Sequence, residues 1–201
     1  MSTAGILLAA GRGRRFDPSG ASNKLLAQLR SSEPVVISSA RALLAVLPRV
    51  IAVVPVDDGG VGEALRALGC DVTVCPTAEE GMAASLVHAV RHSLPAASSW
   101  LIALGDMPHV RAATIAALCR ALEEGAGIAA PMYAGRRGNP VAFNNRYLQS
   151  LLALEGDQGA RAILQASVVC GVDVDDPGVL HDIDSPSDLY KTVTLPVGRT
   201  S

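Results

Sequence analysis

Ala4-Gly5-Ile6-Leu7-Leu8-Ala9-Ala10-Gly11-Arg12-Gly13-Arg14-Arg15 runs from an unbroken apolar stretch straight into alternating glycine and arginine. A short continuous apolar run bounded by glycine reads as a strand buried on both faces, not as a half-exposed one. The same unit returns along the chain. Strands are predicted at Val50–Pro55, Asp71–Cys75, Trp100–Leu104, Gly127–Met132 and Val168–Val174. Between them the periodicity predicts helices at Val35–Val46, Gly62–Leu68 (closing at Gly69), Met82–Leu94 and Ala112–Leu122. Two more helical stretches flank Asp157, and a short last helix begins at Pro186–Lys191. Apolar strands separated by helices imply an α/β fold, a mostly parallel sheet with helices on both faces. In such sheets ligands bind beyond the carboxyl ends of the strands. That rule directs attention to Gly11–Arg15, Gly105–Pro108 and Asp182–Asp184.

The chain has 201 residues, enough for one sizeable core, and no repeat or low-complexity linker divides it. The expectation is one domain over 1–190 and a C-terminal tail over 191–201. Apolar residues make up 49% and charged residues 18%, as in a folded globular chain. Aromatics are only 3% and the net charge is −2, so neither stacking platforms nor a basic field is present for a polynucleotide. Basic residues cluster locally instead, at Arg12, Arg14, Arg15 and Lys24, a pattern suited to a small anion. Cys70, Cys75, Cys119 and Cys170 form no CxxC pair and no metal-ligand spacing. The first apolar run ends too soon for a signal segment or a membrane span, and a cytoplasmic location is expected.

Glycines in the first loop let backbone N–H groups close around an anion. Arginine adds paired donors shaped for phosphate oxygens, and Lys24 adds a point charge. Two familiar phosphate motifs do not fit. The dinucleotide fingerprint needs a third glycine where Phe16 stands, and the Walker loop needs lysine directly after glycine, whereas Ala21-Ser22-Asn23 separates Gly20 from Lys24. The plainer alternative is a turn with solvated arginines. Asp106, in Leu104-Gly105-Asp106-Met107-Pro108, follows the most apolar strand and emerges at the ligand edge. Mg²⁺ needs only one or two carboxylates beside phosphate oxygens and water. Asp182-Ile183-Asp184-Ser185-Pro186 is a second acidic cluster. Each aspartate also reads as a cap or turn residue, Asp184 above all as the N-cap of a short helix.

The segments Leu8-Ala9-Ala10-Gly11-Arg12-Gly13-Arg14-Arg15 and Lys24-Leu25-Leu26 resemble the signature of nucleotidyltransferases similar to molybdenum cofactor cytidylyltransferase, the MobA-like NTP transferases. The resemblance runs from Gly5 to about Leu189. It implies a three-layer, Rossmann-like sheet of the nucleotide-diphospho-sugar transferase type. It implies that Leu8, Ala9, Ala10, Gly11, Gly13 and Arg15 hold the triphosphate, and that Lys24 stabilises charge at the α-phosphorus. Leu-Gly-Asp-Met-Pro and Asp-Ile-Asp-Ser-Pro match the family's metal segments, which implies Mg²⁺ at Asp106 and Asp184, with Asp182 as an outer acid. Gly81-Met82-Ala83-Ala84-Ser85-Leu86 matches a nucleotide-contacting segment, so Gly81 and Ser85 are carried over; glycine is frequent in the family where Ala83 stands. The stretch from Phe16 to Asn23 is a few residues longer than the family pattern.

Arg137-Gly138-Asn139-Pro140-Val141-Ala142-Phe143 and Gly156-Asp157-Gln158-Gly159-Ala160-Arg161 resemble the family's acceptor-side segments, with Asn139 in place of histidine. They imply acceptor contacts from Gly138, Asn139, Pro140, Asp157 and Arg161; the plainer reading of Asp157 and Arg161 is an exposed helical i,i+4 pair. Ala10 matches cytidylyl-transferring members, where guanylyl-transferring relatives carry glycine. The implied reaction is CMP transfer from CTP to molybdopterin with release of pyrophosphate, together with a transient contact with a molybdenum hydroxylase. A sugar or polyol phosphate as acceptor, or a non-catalytic cofactor carrier, are the competing readings. His88 and His92 share a helical face without a third ligand in view, which reads as an ordinary helix surface.

Overall fold

The computed structural model describes residues 2–11, 13, 15–17 and 22–191. Arg12, Arg14, residues 18–21 of the lengthened loop, and the expected tail beyond Lys191 lie outside the described residues. The strands are β1 Thr3–Leu8, β2 Val50–Val54, β3 Asp71–Val74, β4 Ser99–Leu104, β5 Ile128–Tyr133, β6 Arg136–Arg137, β7 Val141–Asn144 and β8 Cys170–Asp173. The helices are α1 Val35–Leu44, α2 Val61–Leu68, α3 Met82–Ser93, α4 Ala112–Glu123, α5 Leu148–Leu152 and α6 Arg161–Ala166.

All eight strands join one sheet. From one edge, β3, β2, β1 and β4 run parallel. β7 then pairs antiparallel with both β4 and β5, and β8 adds parallel to β5. β6 and β7 are two pieces of one run facing β5: Arg137 pairs with Met132, Gly138 N–H donates to Pro131 O, and Ala142 pairs with Ala129. The sheet is thus mostly parallel, as expected, with one antiparallel insertion that the periodicity did not predict. Three apolar residues behind Pro140 are too short a run to announce a strand. Neighbours on both sides supply the ladder that makes Val141–Asn144 one.

Side chains alternate along each strand, so one strand feeds two cores. Leu7, Ala52, Leu101, Ala103 and Ala129 join α1, α2 and α4 in one buried cluster. Ile6, Ile51, Trp100, Ile102 and Phe143 join α3, α5 and α6 in the other. The arrangement is helix layer, sheet, helix layer. α2 stops at Gly69, whose φ of 105° is open to glycine alone at little cost. Trp100 is fully buried, and its indole N–H donates to Ser93 Oγ at 2.7 Å, so no donor is stranded in the core.

Candidate functional site

β1 and β4 are parallel neighbours in register, with Leu8 opposite Leu104. Their carboxyl ends therefore open on the same edge, and Gly105 N–H continues the ladder to Leu8 O at 2.9 Å. Asp106 follows directly and lies at the rim. The C-terminal segment crosses here, Ile183 N–H donating to Asp106 O at 2.8 Å. Asp106, Asp182 and Asp184 each offer a carboxylate oxygen, and these lie within 4.8 Å of one another.

Lys24 reaches this cluster from a turn after the first loop. It is 8% exposed, and its ammonium donates to Asp106 Oδ2 at 2.7 Å and to Ile183 O at 3.0 Å, with Asp184 Oδ1 at 3.7 Å. Its stem packs under Gly13, whose φ is +57° and whose absent Cβ would touch Lys24 Cγ at 3.4 Å. Arg15 Nη1 meets Asp184 Oδ2 at 2.6 Å while its side chain stays 81% exposed. Asp184 is not the cap of the last helical turn. That role falls to Ser185, through Asp188, whose carboxylate accepts from the amides of Asp184 and Ser185 and from the Ser185 hydroxyl. The Asp184 side chain is left facing the basic pair.

These groups border a cleft of about 590 Å³. Leu8, Ala10, Gly11, Gly13, Arg15, Lys24, Gly81, Ser85, Asp106, Asp184 and Asp157 all line it. Ala9 lies beside it, in an adjoining hollow of about 430 Å³ that shares Ala10, Gly11, Ala78 and Glu79 with the cleft. Gly81 has φ +126°, and a Cβ there would collide with Asp157 Oδ1 and come within 2.6 Å of Gly156 O. Glycine is what lets the 156–157 bend close onto the start of α3, where Ala83 N–H donates to Gly156 O at 3.1 Å.

The expected acceptor residues divide. Asp157 is in the cleft; Gly138, Asn139, Pro140 and Arg161 are not among its lining residues. Gly138–Pro140 forms the break between β6 and β7 and packs on Val179, with Asn139 N–H donating to Val179 O at 2.9 Å. Asp157 sits in the bend before α6 and Arg161 begins that helix, so the two do not form a pair within one helix. Residue patterning missed Phe16, Glu79 and Met82 in the cleft, and Pro55, Asp57, Asp58, Cys75 and Pro76 in the adjoining hollow. The strand-end rule would have found the last five, since they follow β2 and β3.

Among the described residues no other cluster of metal-ligating side chains is found. His88 Nε2 pairs with the Thr73 hydroxyl at 2.8 Å, and His92 with Asp71 at 3.2 Å. The cysteines are free; Cys70 and Cys75 are buried, Cys119 partly so, and Cys170 exposed. Burial pushes the Cys70 thiol up to about 11. No described helix is long and apolar enough to cross a membrane.

A mostly parallel sheet with a glycine-lined cleft and an acidic cluster at one edge is the arrangement in which α/β proteins hold their ligands. Residues 5–170 match the MobA-like NTP transferase domain, and the chain belongs to that family of nucleotidyltransferases. It is similar to the purine catabolism protein PucB of Bacillus subtilis, 27% identical over 195 residues and covering 92% of each chain. Among solved structures it is similar to Rv0371c of Mycobacterium tuberculosis (28% identity, TM-score 0.78, covering 94% of this chain and 95% of that one). A second structure of that protein is a complex with manganese (26% identity, TM-score 0.73, covering 94% and 96%). A nucleotidyl transferase from Methanothermobacter thermautotroptrophicus is also similar, at 25% identity and TM-score 0.77, covering 93% and 94%.

Proposed function

We propose that the protein is a Mg²⁺-dependent cytidylyltransferase that moves CMP from CTP to the phosphate of molybdopterin and releases pyrophosphate. The observation that carries this reading is the ammonium of Lys24 between Asp106 and Asp184, with Arg15 beside them, at the mouth of the glycine-lined cleft. Asp106, Asp184 and Asp182 would hold the metal. Their donor set is oxygen only, and spacings within 4.8 Å close onto one hard cation with small side-chain rotations. A complex of the similar mycobacterial protein with manganese supports a divalent ion. When bound, the metal neutralises charge on phosphate oxygens.

The remaining work falls to the chain. The first-loop amides and Arg15 hold the triphosphate; Arg15 is exposed enough to leave Asp184 for it. Lys24 meets the charge that grows at the α-phosphorus. Gly81 and Ser85 contact the nucleotide, and the hollow behind Ala10 has room for its base. An oxygen of the acceptor phosphate attacks the α-phosphorus in line; the new P–O bond forms as the α–β bridging bond breaks. The attacking phosphate is already ionised near neutral pH, so no protein base is required, and positioning plus charge neutralisation carry the reaction. CTP is supported by Ala10, and molybdopterin by the resemblance of the segments around Gly138–Pro140 and Asp157–Arg161 to the family's acceptor side, of which Asp157 lines the cleft.

The test is pyrophosphate release by the full chain with molybdopterin, Mg²⁺ and CTP, GTP or UTP in turn. CTP should be preferred severalfold, and a faster reaction with GTP or UTP would overturn the cytidylyl assignment. Release with a sugar or polyol phosphate but not with molybdopterin would move the acceptor to that class. Wild type releasing no more than Asp106→Ala with any acceptor would favour a cofactor carrier.

A further inference from the structure

Asp176 is the most deeply buried carboxylate among the described residues, 1% exposed, and it lies outside the cleft. Its Oδ2 accepts from the Arg111 amide at 2.8 Å and the Thr114 hydroxyl at 2.6 Å; its Oδ1 accepts from the Gly178 amide at 3.0 Å. α4 has no side-chain cap of its own at Arg111, so Asp176 caps it from 65 residues away. Arg111 reinforces the junction by donating to Asp175 O at 2.6 Å.

The junction begins a longer seam. Residues 176–183 run antiparallel to 106–111 as two touching backbones. Asp176 is tied to Arg111; Gly178 is pressed so closely on His109 O that a Cβ would collide; Ile183 N–H bonds to Asp106 O. One side of the seam carries Asp106, and the other carries Asp182 and Asp184. The two ends of the strap are therefore pinned, one at Asp176 and one at the acidic cluster itself.

We infer that Asp176 is a positioning residue for the metal site: by pinning the strap to the first turn of α4 it fixes how far Asp182 and Asp184 stand from Asp106. This rests on the reading of those three aspartates as metal ligands. Outer groups that orient carboxylate ligands commonly govern affinity without touching the ion. Asparagine would not replace Asp176. Each oxygen faces a backbone N–H, so whichever way the amide turns, its own NH₂ meets a donor.

The experiment is a titration of the full chain with Mn²⁺ alone, followed by electron paramagnetic resonance of the free ion, alongside thermal melts and metal-dependent kinetics. Asp176→Asn should raise the Mn²⁺ Kd about tenfold or more, within the range known for outer partners of metal ligands. The KM for metal should rise with it, while kcat at saturating Mn²⁺ stays near wild type. Leu151→Ala, a core truncation in the opposite helix layer, is the control: a lowered Tm with an unchanged Kd. Asp176→Asn behaving like that control would overturn the inference and leave Asp176 a helix cap only. If Asp176→Asn does not fold, Thr114→Val removes one donor while keeping shape, and it should raise the Kd by about threefold; no change would again overturn the inference. Wild type failing to bind Mn²⁺ would overturn the metal reading and this inference together, an outcome distinct from wild-type binding with unchanged variants.

Discussion

Replacing Lys24 by methionine keeps the length of the side chain and removes its charge from between Asp106 and Asp184. The ammonium stands 2.7 Å from Asp106 Oδ2 and 3.7 Å from Asp184 Oδ1. At 2.7 Å the attraction is about 1.5 kcal/mol at the dielectric of water and about 6 kcal/mol at an effective dielectric of 20. The carboxylates are 21% and 32% exposed, so water screens them and the lower end of that range governs. Loss of the pair should cost about 2 kcal/mol without metal, a fall in Tm of about 4–8 °C for a chain of this size. The sign reverses for the ion. Lys24 competes with a divalent cation for the same oxygens, so Lys24→Met should bind Mn²⁺ about tenfold more tightly, equivalent to about 1.4 kcal/mol. Saturating metal should restore the Tm, since about 100 Kd of ligand adds about 2.7 kcal/mol. Turnover should nevertheless fall by about 10²–10³, because the lost cation serves the transition state. Isothermal titration with Mn²⁺, melts with and without metal, and pyrophosphate release read the three effects separately. Mn²⁺ binding that weakens instead of tightening would refute the competition argument and make Lys24 an organiser of the carboxylates. Near-normal turnover would remove it from the chemistry.

Three further outcomes are expected. Asp106→Ala should abolish pyrophosphate release while the melt stays cooperative, its midpoint lowered by about the same 4–8 °C because the same Lys24 pair is lost; unfolding at assay temperature would mark a structural aspartate. Gly81→Ala forces a Cβ into Asp157 and Gly156 at a φ of +126°, and should raise the KM for nucleotide and cost about 2 kcal/mol or more of stability; wild-type values for both would disprove the close packing of the 156–157 bend. Asp188 is held well below the usual carboxylate range, first by Lys191 and then by Ser185. A depressed carboxyl stabilises the fold above its unfolded value near about 4 and loses that contribution as pH falls below it. The wild type should therefore lose stability more steeply than Asp188→Asn in denaturant titrations between about pH 5 and pH 2, and parallel curves would contradict the assignment.

Much of the architecture is legible in the chain because burial on both faces forces unbroken apolar strands, and glycine is required wherever φ turns positive. The runs Ala4–Ala10, Val50–Pro55 and Trp100–Leu104 announce the parallel core, and Gly69 announces the end of α2. Gly11, Gly13 and Asp106 stand out because a residue after a strand end is carried to the ligand edge whatever the rest of the fold does, and Lys24 stands out through the resemblance of Lys24-Leu25-Leu26 to the family signature. The antiparallel insertion of β7 was not legible, since so short an apolar run becomes a strand only through the ladders that β4 and β5 supply on either side. Nor was the division of the acceptor segments: Asp157 enters the cleft because Gly81 makes room for its bend, while Gly138–Pro140 is drawn aside by Val179. Asp184 could be cap or ligand by its neighbours alone, until Ser185 and Asp188 took the capping bonds. The sequence determined the strands, the turns and the kinds of chemistry available, because those follow from local patterning. The tertiary structure decided which carboxylates lie within 4.8 Å of one another, because Asp106, Asp182 and Asp184 come together only when a late segment folds back across the edge of the sheet.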